Sequence, residues 1–435
     1  MSSSSALVGP RSDRVGRKRG LTRTVSALPV PIRLILVSIV GFNIGFYLVV
    51  PFLAVHLADD LGLAAGVIGT VLGLRMLAQQ GLFFLGGALA ERLGYRRMAL
   101  SGIAVRVTGF GVLAVADSLA TVITGVLLVG AAAALFAPAV EGANAAYGRQ
   151  LEDAGVLPRA EVFGLEQMAG RVGMVMGPIL GALLLTVPFA WTAGIAAALF
   201  AVIGMLFLRW FPEPPRRDID VVSIVGVLRV VARNGEFLAY AGLWAIQLAA
   251  VSLVYLMLPM ELAAVGADRF VGWAYVVAAL VVLGGQIPML QIIARIGNRR
   301  ALTWGFLIMG GGFVVPSIVP VTQLWVFMGV LGWLVLLNAG QMLLVPALRD
   351  AVAATARESY LSAHFGAMNS LGGVLCVLAS AAAGSAYAAI GATPWGRAMV
   401  WLVAAVCIAG GSAVTLAALS RRRRAIAPPP EGASG

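Results

Sequence analysis

The sequence is dominated by apolar segments of about 20 residues or more, which are separated by short polar stretches. A helix of this length spans the roughly 30 Å hydrocarbon core of a bilayer. Because 60% of the residues are hydrophobic and only 11% are charged, the chain lacks the polar residues that cover soluble domains. These values exclude a soluble enzyme, a disordered scaffold and a secreted disulfide protein, so we predict an all-α membrane protein. Its twelve predicted transmembrane helices lie at 31–57, 66–90, 98–117, 119–140, 162–187, 189–211, 236–262, 270–294, 301–319, 322–347, 360–391 and 395–419.

The longest polar stretch inside this array separates the first six helices from the last six. We therefore expect two helical bundles joined by a cytoplasmic linker, with a disordered basic arm before them and a basic tail after them. The predicted arm, N-terminal bundle, linker, C-terminal bundle and tail are 1–30, 31–211, 212–235, 236–419 and 420–435.

The basic residues predict the orientation. With the N-terminus in the cytoplasm, all but five of the 31 Lys and Arg residues fall on the cytoplasmic side. Cytoplasmic loops of membrane proteins are enriched in this way, so both termini are expected in the cytoplasm, and the basic tail is expected to contact lipid rather than nucleic acid. The five exceptions are Arg75, Arg106 and Arg171 within helices and Arg269 and Arg397 in outer loops.

An internal repeat relates the two bundles. The loop after the second helix reads ERLGYRR (Glu91–Arg97) and the loop after the eighth reads ARIGNRR (Ala294–Arg300). Parallel repeats of six helices are typical of carriers whose two pseudo-symmetric halves move about a site near the bilayer midplane. Such a carrier needs no ATPase domain, and the sequence contains no GxxxxGK[ST] motif; we expect no cofactor and no metal.

Two motifs carry a resemblance to a known family. GGALAERLGYRR (Gly86–Arg97) resembles motif A, and GRVGMVMGPILGAL (Gly170–Leu183) resembles motif C, of the major facilitator superfamily and its drug:proton antiporter branch. FYLVVPFL, VLGLRMLAQQGL and AVRVTGF in helices 1–3 are similar to multidrug resistance members of that branch. The resemblance implies a monomeric transporter in a bacterial cytoplasmic membrane that exports amphipathic or cationic organic compounds against proton uptake.

Motif A is expected to act as a gate that favours one packing of the two halves. Its glycines permit a tight turn, and its acidic residue can pair with an Arg or a helix N-terminus; the alternative is that its basic residues only set topology. The gating residues are Gly87, Glu91, Arg92, Gly94, Arg96 and Arg97.

Motif C places its glycines on one helix face, where they allow a neighbouring helix to approach closely. The resemblance associates this face with antiport, through control of leak between the halves; an ordinary packing seam is the alternative. The residues are Gly173, Gly177, Pro178 and Gly181.

Charged residues inside the apolar segments are the strongest functional signal, because an Arg at a helix centre must face protein or a watered cavity. Arg75 lies too deep to reach the inner surface, so we expect it either to reach the outer half of the membrane or to contact a polar partner such as Gln79, one turn on. Arg75 and Arg106 are interpreted as functional or interdomain charges. For Arg171, structural pairing with Glu166 or Glu141 and a role in transport are equal alternatives.

Proton coupling needs a carboxylate or His whose protonation changes during transport. The candidates are Glu141, Glu166, Glu261 and His364, each of which also has a structural interpretation.

A substrate cavity is expected to combine aromatic and apolar walls with a few polar anchors. The candidate residues are Asn43, Gln79, Gln247, Tyr255, Gln286, Trp333, Asn338 and Gln341. Because acidic residues are sparse in the helices, a lipid or lysolipid exporter and a metabolite symporter remain open. A channel or a membrane-embedded enzyme fits less well, since no cluster of catalytic residues is evident.

Overall fold

The computed structural model describes residues 28–156, 159–184, 187–213, 234–355 and 361–426. These residues form helices at the twelve predicted positions, and no strand occurs among them, which confirms the predicted fold class. The helices, numbered by position, are Val30–Asp59 (α1), Ala65–Gly81 with Phe83–Leu93 (α2), Tyr95–Ala114 (α3), Leu119–Asp153 (α4), Arg159–Leu183 (α5), Phe189–Trp210 (α6), Gly235–Ser252 with Val254–Ala263 (α7), Val271–Ile296 (α8), Asn298–Gly312 with Val315–Ile318 (α9), Gln323–Thr355 (α10), Leu361–Ile390 (α11) and Pro394–Ile426 (α12).

The helix ends differ from the sequence prediction in two ways. α2, α7 and α9 are each interrupted once, and α9 breaks directly after the Gly310–Gly312 run, where glycine weakens a helix. α4, α10 and α12 continue beyond their apolar segments, so that α12 includes the first residues of the predicted basic tail. An apolar run marks the part of a helix inside the bilayer and not the point where the helix ends.

The surface of the described helices is apolar. Ten of the helical segments are long and apolar enough to cross a membrane. Large side chains such as Leu307, Val406 and Trp273 are more than half exposed, at 54%, 70% and 56%. A soluble surface would not carry so many exposed apolar side chains, and in a bilayer they contact lipid.

The helices pack as two halves, each with its own core. Buried residues of α1–α6 form most of one hydrophobic core, and those of α7–α12 form most of the other; Met76 and Leu256 each belong to the core of the opposite half. Between the halves, α2 packs along α11 and α5 packs along α8. Gly69 and Gly73 allow the backbone of α11 to approach α2 directly. The predicted linker between the halves stays a prediction, since 214–233 lie outside the described residues.

The repeat seen in the sequence has the same backbone form in both halves. Gly94 separates α2 from α3 with φ 103°, and Gly297 separates α8 from α9 with φ 80°. Side chains are strongly disfavoured at such angles. The two loops are therefore equivalent turns, each built on a glycine that the conformation requires.

Aromatic side chains of α1 contact the C-terminal half away from the chain termini. We call the end at which α1 begins and α12 ends the termini end, and the other the opposite end. Towards the opposite end, the rings of Phe46 and Tyr255 are 5.8 Å apart and those of Tyr47 and Tyr275 are 6.4 Å apart. Leu256 of α7 is buried in the core of the N-terminal half. These contacts join α1 to α7 and α8.

Candidate functional site

A cavity of about 160 Å³ lies inside the N-terminal half, between α1, α2, α3 and α4. Arg75 follows the start of α2 by ten residues and Arg106 follows the start of α3 by eleven, so each is about 15 Å from a helix end at the helical rise. The cavity is therefore near mid-depth of the bilayer. Its polar walls are Asn43, Arg75, Gln79 and Arg106, and its apolar walls are Phe42, Phe46, Val129 and Ala133.

Arg75 is 2% exposed and is held by neutral groups. Its Nη1 donates to Gln79 Oε1 at 3.1 Å, the partner that the spacing predicts, and its Nη2 lies 2.8 Å from Met76 Sδ. The guanidinium also lies 5.3 Å from the centre of the Phe46 ring and 5.7 Å from that of Tyr255. Tyr255 comes from the C-terminal half, so this contact links the cavity to the interface between halves.

Arg106 is 5% exposed and contacts aromatic rings. Its guanidinium lies 4.4 Å from the centre of the Phe42 ring and 5.1 Å from that of Phe200. Cation–π contacts of this kind contribute about 0.5–2 kcal/mol, whereas an Arg at a membrane helix centre costs about 2.5–3.5 kcal/mol on insertion scales. Two such contacts, at 4.4 and 5.1 Å, together offset a large part of the cost of burying this charge.

Only some of the predicted substrate residues line the cavity. Asn43 and Gln79 line the cavity. Gln247, which is 3% exposed, together with Gln286, Asn338 and Gln341, does not line it. Trp333 also differs from the prediction: it is fully buried in the core of the C-terminal half, with its ring 4.6 Å from that of Trp401 and 5.2 Å from that of Phe313.

Two of the proton-coupling candidates lie together. Glu166 of α5 accepts a hydrogen bond from Asn144 of α4. Glu141, one turn before Asn144, lies within electrostatic range of both Glu166 and Arg349, which belongs to α10 in the other half. Glu141 is solvent-exposed and Glu166 is half-buried. The structure thus brings two carboxylates and a cation together near the termini end.

Glu261 lies in a separate polar cluster at the opposite end. It is 5% exposed, and its carboxylate accepts from Arg397 Nε at 3.1 Å, Trp401 Nε1 at 3.0 Å and Tyr387 Oη at 3.1 Å. Arg397, expected in an outer loop, is instead part of α12 and 7% exposed. The cluster ties the ends of α7, α11 and α12 together, and the sequence gives no signal that these distant residues meet.

The other two charged candidates have different surroundings. His364 is 1% exposed and its ring lies edge-on to Phe237, with centres 4.7 Å apart. Arg171 is half-buried, and among the described side chains no ion pair joins it to Glu166 or Glu141. Of the two alternatives for Arg171, pairing with Glu166 or Glu141 is therefore absent among the described side chains in this conformation.

The motif A segment makes contacts within its own half. Arg96 Nη2 donates to the carbonyl of Leu208 at 2.8 Å, and the Arg96 backbone N–H donates to Glu213 at 3.2 Å. These bonds tie the start of α3 to the end of α6. Gly87 lies against Pro138 of α4, whereas Arg92 and Arg97 are exposed. The side chain of Glu91 lies outside the described part of the structure, so the gating role stays a prediction.

The motif C glycines face α1 and not the other half. A Cβ added to Gly173 would lie 2.7 Å from Asn43 Cβ, and one added to Gly177 would lie 2.7 Å from Tyr47 Cβ. Gly181 packs against Phe52 in the same way. The predicted position between the halves thus differs from the structure, in which this face positions α1 and its cavity residue Asn43. The side chain of Pro178 lies outside the described residues.

The residues that sequence reasoning missed are the aromatic side chains around the two guanidinium groups, of which Phe42 and Phe46 line the cavity. Phe42, Phe46 and Phe200 contact the two guanidinium groups. The signal available was the spacing of four between Phe42 and Phe46, which puts both on one face of α1 beside Asn43.

Comparisons with known proteins agree with this architecture. The profile of the Major Facilitator Superfamily matches residues 35–265. An uncharacterized MFS-type transporter of Mycobacterium tuberculosis is 34% identical over 82% of this chain and 85% of that protein. Multidrug resistance protein MdtH of Aeromonas hydrophila is 31% identical over 59% of this chain and 62% of its own length. Among solved structures, nucleoside transporter NupG has a TM-score of 0.74 at 14% identity, covering 91% of this chain and 100% of that one. Peptide transporter POT in complex with sulfate has a TM-score of 0.71 at 14% identity, covering 93% and 98%. At such identity, these two structures show a shared fold alone.

Proposed function

Since the chain belongs to the major facilitator superfamily of membrane transporters, we propose that it exports amphipathic organic compounds in exchange for protons, by alternating access. The observation that carries this proposal is the cavity at mid-depth of the N-terminal half, with aromatic walls and a few polar anchors. A site of this composition suits a compound with an apolar body and a polar group. The similarity to proteins named multidrug resistance protein MdtH supports export.

Contacts at the opposite end support alternating access. Tyr255 of α7 lies beside Arg75, with its ring centre 5.7 Å from the guanidinium, so it joins a cavity residue to the C-terminal half. Rotation of one half against the other would separate Tyr255 from Phe46 and Arg75 and open the cavity there. In this mechanism α1 and α7 form the gate at the opposite end, and motif A contributes the gate at the termini end.

We assign proton coupling to the pair formed by Glu141 and Glu166. When two carboxylates are neighbours, ionising both brings two like charges together, so the pair tends to keep one proton. Arg349 belongs to the other half, so movement of the halves would change the charge that faces Glu141. Glu261 is a weaker candidate, because its charge is already compensated by Arg397 and two further donors.

The same proposal fixes the setting of the protein. The distribution of basic residues supports an orientation with both termini, and thus the termini end, in the cytoplasm, and we propose the cytoplasmic membrane of a bacterial cell as its location. The contacts at the opposite end then close the extracellular side. We propose that the monomer is the transporting unit, because each chain contains both halves.

Purified protein in liposomes with an imposed pH gradient and an internal pH-sensitive dye tests the proposal. Dyes, antibiotics and lysolipids would be added in turn. We expect at least one compound to dissipate the gradient, and Glu141→Gln or Glu166→Gln to abolish the proton movement while the compound still binds. Asp117→Asn, a change at an exposed loop residue, is the matched control and keeps proton movement.

Movement of labelled compounds without protons would refute antiport and leave a uniporter. If lysolipids alone crossed, a lipid exporter would replace the drug exporter.

A further inference from the structure

The two guanidinium groups in the cavity have no acidic partner. Arg75 and Arg106 are both more than nine-tenths buried, and among the described side chains no ion pair or hydrogen bond joins either to a carboxylate. Elsewhere in the same protein, the buried Arg397 is paired with Glu261. Among the buried Arg side chains that the structure describes, those that lack a counter-charge are the two in the cavity.

Most of the hydrogen-bonding capacity of these groups is unused. A guanidinium carries five N–H donors, yet within the described structure Arg75 uses two, on Gln79 and Met76, and its Nε–H has no acceptor there. Arg106 is held by aromatic rings, and its Nε–H likewise lacks an acceptor among the described residues. Buried donors without acceptors are costly, so both groups are arranged for a partner that the protein itself does not supply.

Both groups line the same space. The cavity of about 160 Å³ exceeds the roughly 30 Å³ share of a single water molecule several times, which leaves room for an acidic group with a few attached carbon atoms. Guanidinium binds carboxylate and phosphate oxygens in pairs of parallel hydrogen bonds. None of the lining residues is acidic, so a cation would meet two like charges and no opposite one.

We propose that this cavity binds the acidic group of an amphipathic organic anion, with Arg75 and Arg106 as the ligands of its carboxylate or phosphate oxygens. Phe42 and Phe46 then hold the apolar part next to that group. The proposal rests on the proposed transport function and names its substrate class: the exported compounds are anions, and the cationic compounds favoured by the sequence resemblance are excluded from this cavity.

The acidic group has two possible sources, a soluble organic anion or the headgroup of an anionic lipid. The chemistry of recognition is the same for both, since each presents anionic oxygens on an apolar body. Position at mid-depth does not separate them, so the experiment includes an arm for each.

Binding of four probes of one shape tests the proposal: benzoate, phenyl phosphate, neutral benzamide and cationic benzamidine. The purified full-length protein is freed of lipid in a neutral detergent, and binding is measured by thermophoresis. We expect the two anions to bind, and benzamide and benzamidine to bind at least tenfold more weakly. Arg75→Met and Arg106→Met are each expected to weaken anion binding at least tenfold, whereas Arg269→Met, at an exposed cation outside the cavity, leaves it unchanged.

Folding is checked on the same samples. Because each Met substitution removes an unpaired buried charge, the thermal unfolding midpoint without probe is expected to hold or rise, which separates lost binding from lost structure. Arg75→Lys keeps the charge but not the paired donors. Its affinity for the anions is expected to lie between that of the wild type and that of Arg75→Met.

The two sources are separated by competition. If phosphatidylglycerol nanodiscs reduce benzoate binding relative to phosphatidylcholine nanodiscs, the lipid headgroup is the ligand; equal binding in both identifies the soluble anion. Tight binding of benzamidine, or unchanged benzoate binding in both Met variants, would overturn the inference. The binding measurements need no pH gradient, so they are independent of the liposome assay. If anions bind but no protons move, only the proposed proton coupling is refuted. If cations alone dissipate the pH gradient, only the proposed anion site is refuted.

Discussion

Glu261 and Arg397 form a buried ion pair whose disruption has a calculable cost. Glu261 is 5% exposed and Arg397 is 7% exposed, and their 3.1 Å contact joins residues 136 positions apart. Arg397→Met leaves the carboxylate with two neutral donors, Tyr387 and Trp401. Removing one partner of such a pair costs about 3–5 kcal/mol, because the other charge stays buried and uncompensated.

The expected shift can be measured by heating the purified protein in detergent and following the fluorescence of its nine tryptophans, one of which is Trp401. At about 2–4 °C per kcal/mol for a unit of 150–250 residues, Arg397→Met is expected to lower the unfolding midpoint by about 6–20 °C. Tyr387→Phe removes one neutral donor and is the matched control; its expected cost is about 1 kcal/mol.

The double variant Glu261→Gln with Arg397→Met decides the interpretation. Removing both charges leaves no uncompensated ion, so the double variant is expected to be more stable than Arg397→Met alone. A double variant as unstable as the single one, or a single variant with an unchanged midpoint, would refute the argument that desolvation of an unpaired carboxylate sets the cost.

Gly177→Ala brings a Cβ to 2.7 Å from Tyr47 Cβ and is expected to lower the midpoint in the same assay, because overpacking costs about 1–3 kcal/mol. Gly94→Ala, at φ 103°, is expected to cost about 1–3 kcal/mol through backbone strain. Gly297→Ala, at φ 80°, is expected to behave alike, since the two turns are equivalent. Green fluorescent protein fused after the last residue is expected to fluoresce, and alkaline phosphatase fused there to be inactive, because the basic side faces the cytoplasm.

Controls for these variants lie in the same chain. A Cβ added to Gly194 of α6 meets nothing within 4 Å, so Gly194→Ala is expected to keep or raise the midpoint, as alanine stabilises a helix by up to about 1 kcal/mol over glycine. Equal midpoints for Gly177→Ala and Gly194→Ala would contradict the close contact with α1. An unchanged midpoint for Gly94→Ala would contradict the required turn, and an active phosphatase fusion would reverse the orientation.

Some of the candidate site could be predicted from local sequence. The link between Arg75 and Gln79 follows from a spacing of four residues on one helix, and the structure contains that hydrogen bond. A charge at the centre of an apolar segment also indicates a cavity or a partner, and Arg75 and Arg106 do line one. The spacing within one helix does not predict that Arg75 of α2 and Arg106 of α3 line the same cavity.

Other residues needed the packed structure. Trp333 is an aromatic residue of the type that lines substrate cavities, but it is buried in a core. Arg397 was expected in an outer loop, but it pairs with Glu261. The motif C glycines lie on one face, as their spacing requires, but only the packing identifies α1 as the helix they contact.

The sequence by itself determined the number and order of the helices and the glycine turns of the repeat, because bilayer thickness sets the length of an apolar run and positive φ selects glycine. The tertiary structure alone decided which side chains meet: the unpaired guanidinium groups in one cavity, and the compensated carboxylate at the opposite end. The physical reason is the separation along the chain over which each kind of interaction acts. Helix formation is governed by neighbours within a few residues, whereas the partner of a buried charge is chosen by helices that are distant in the chain and adjacent in space.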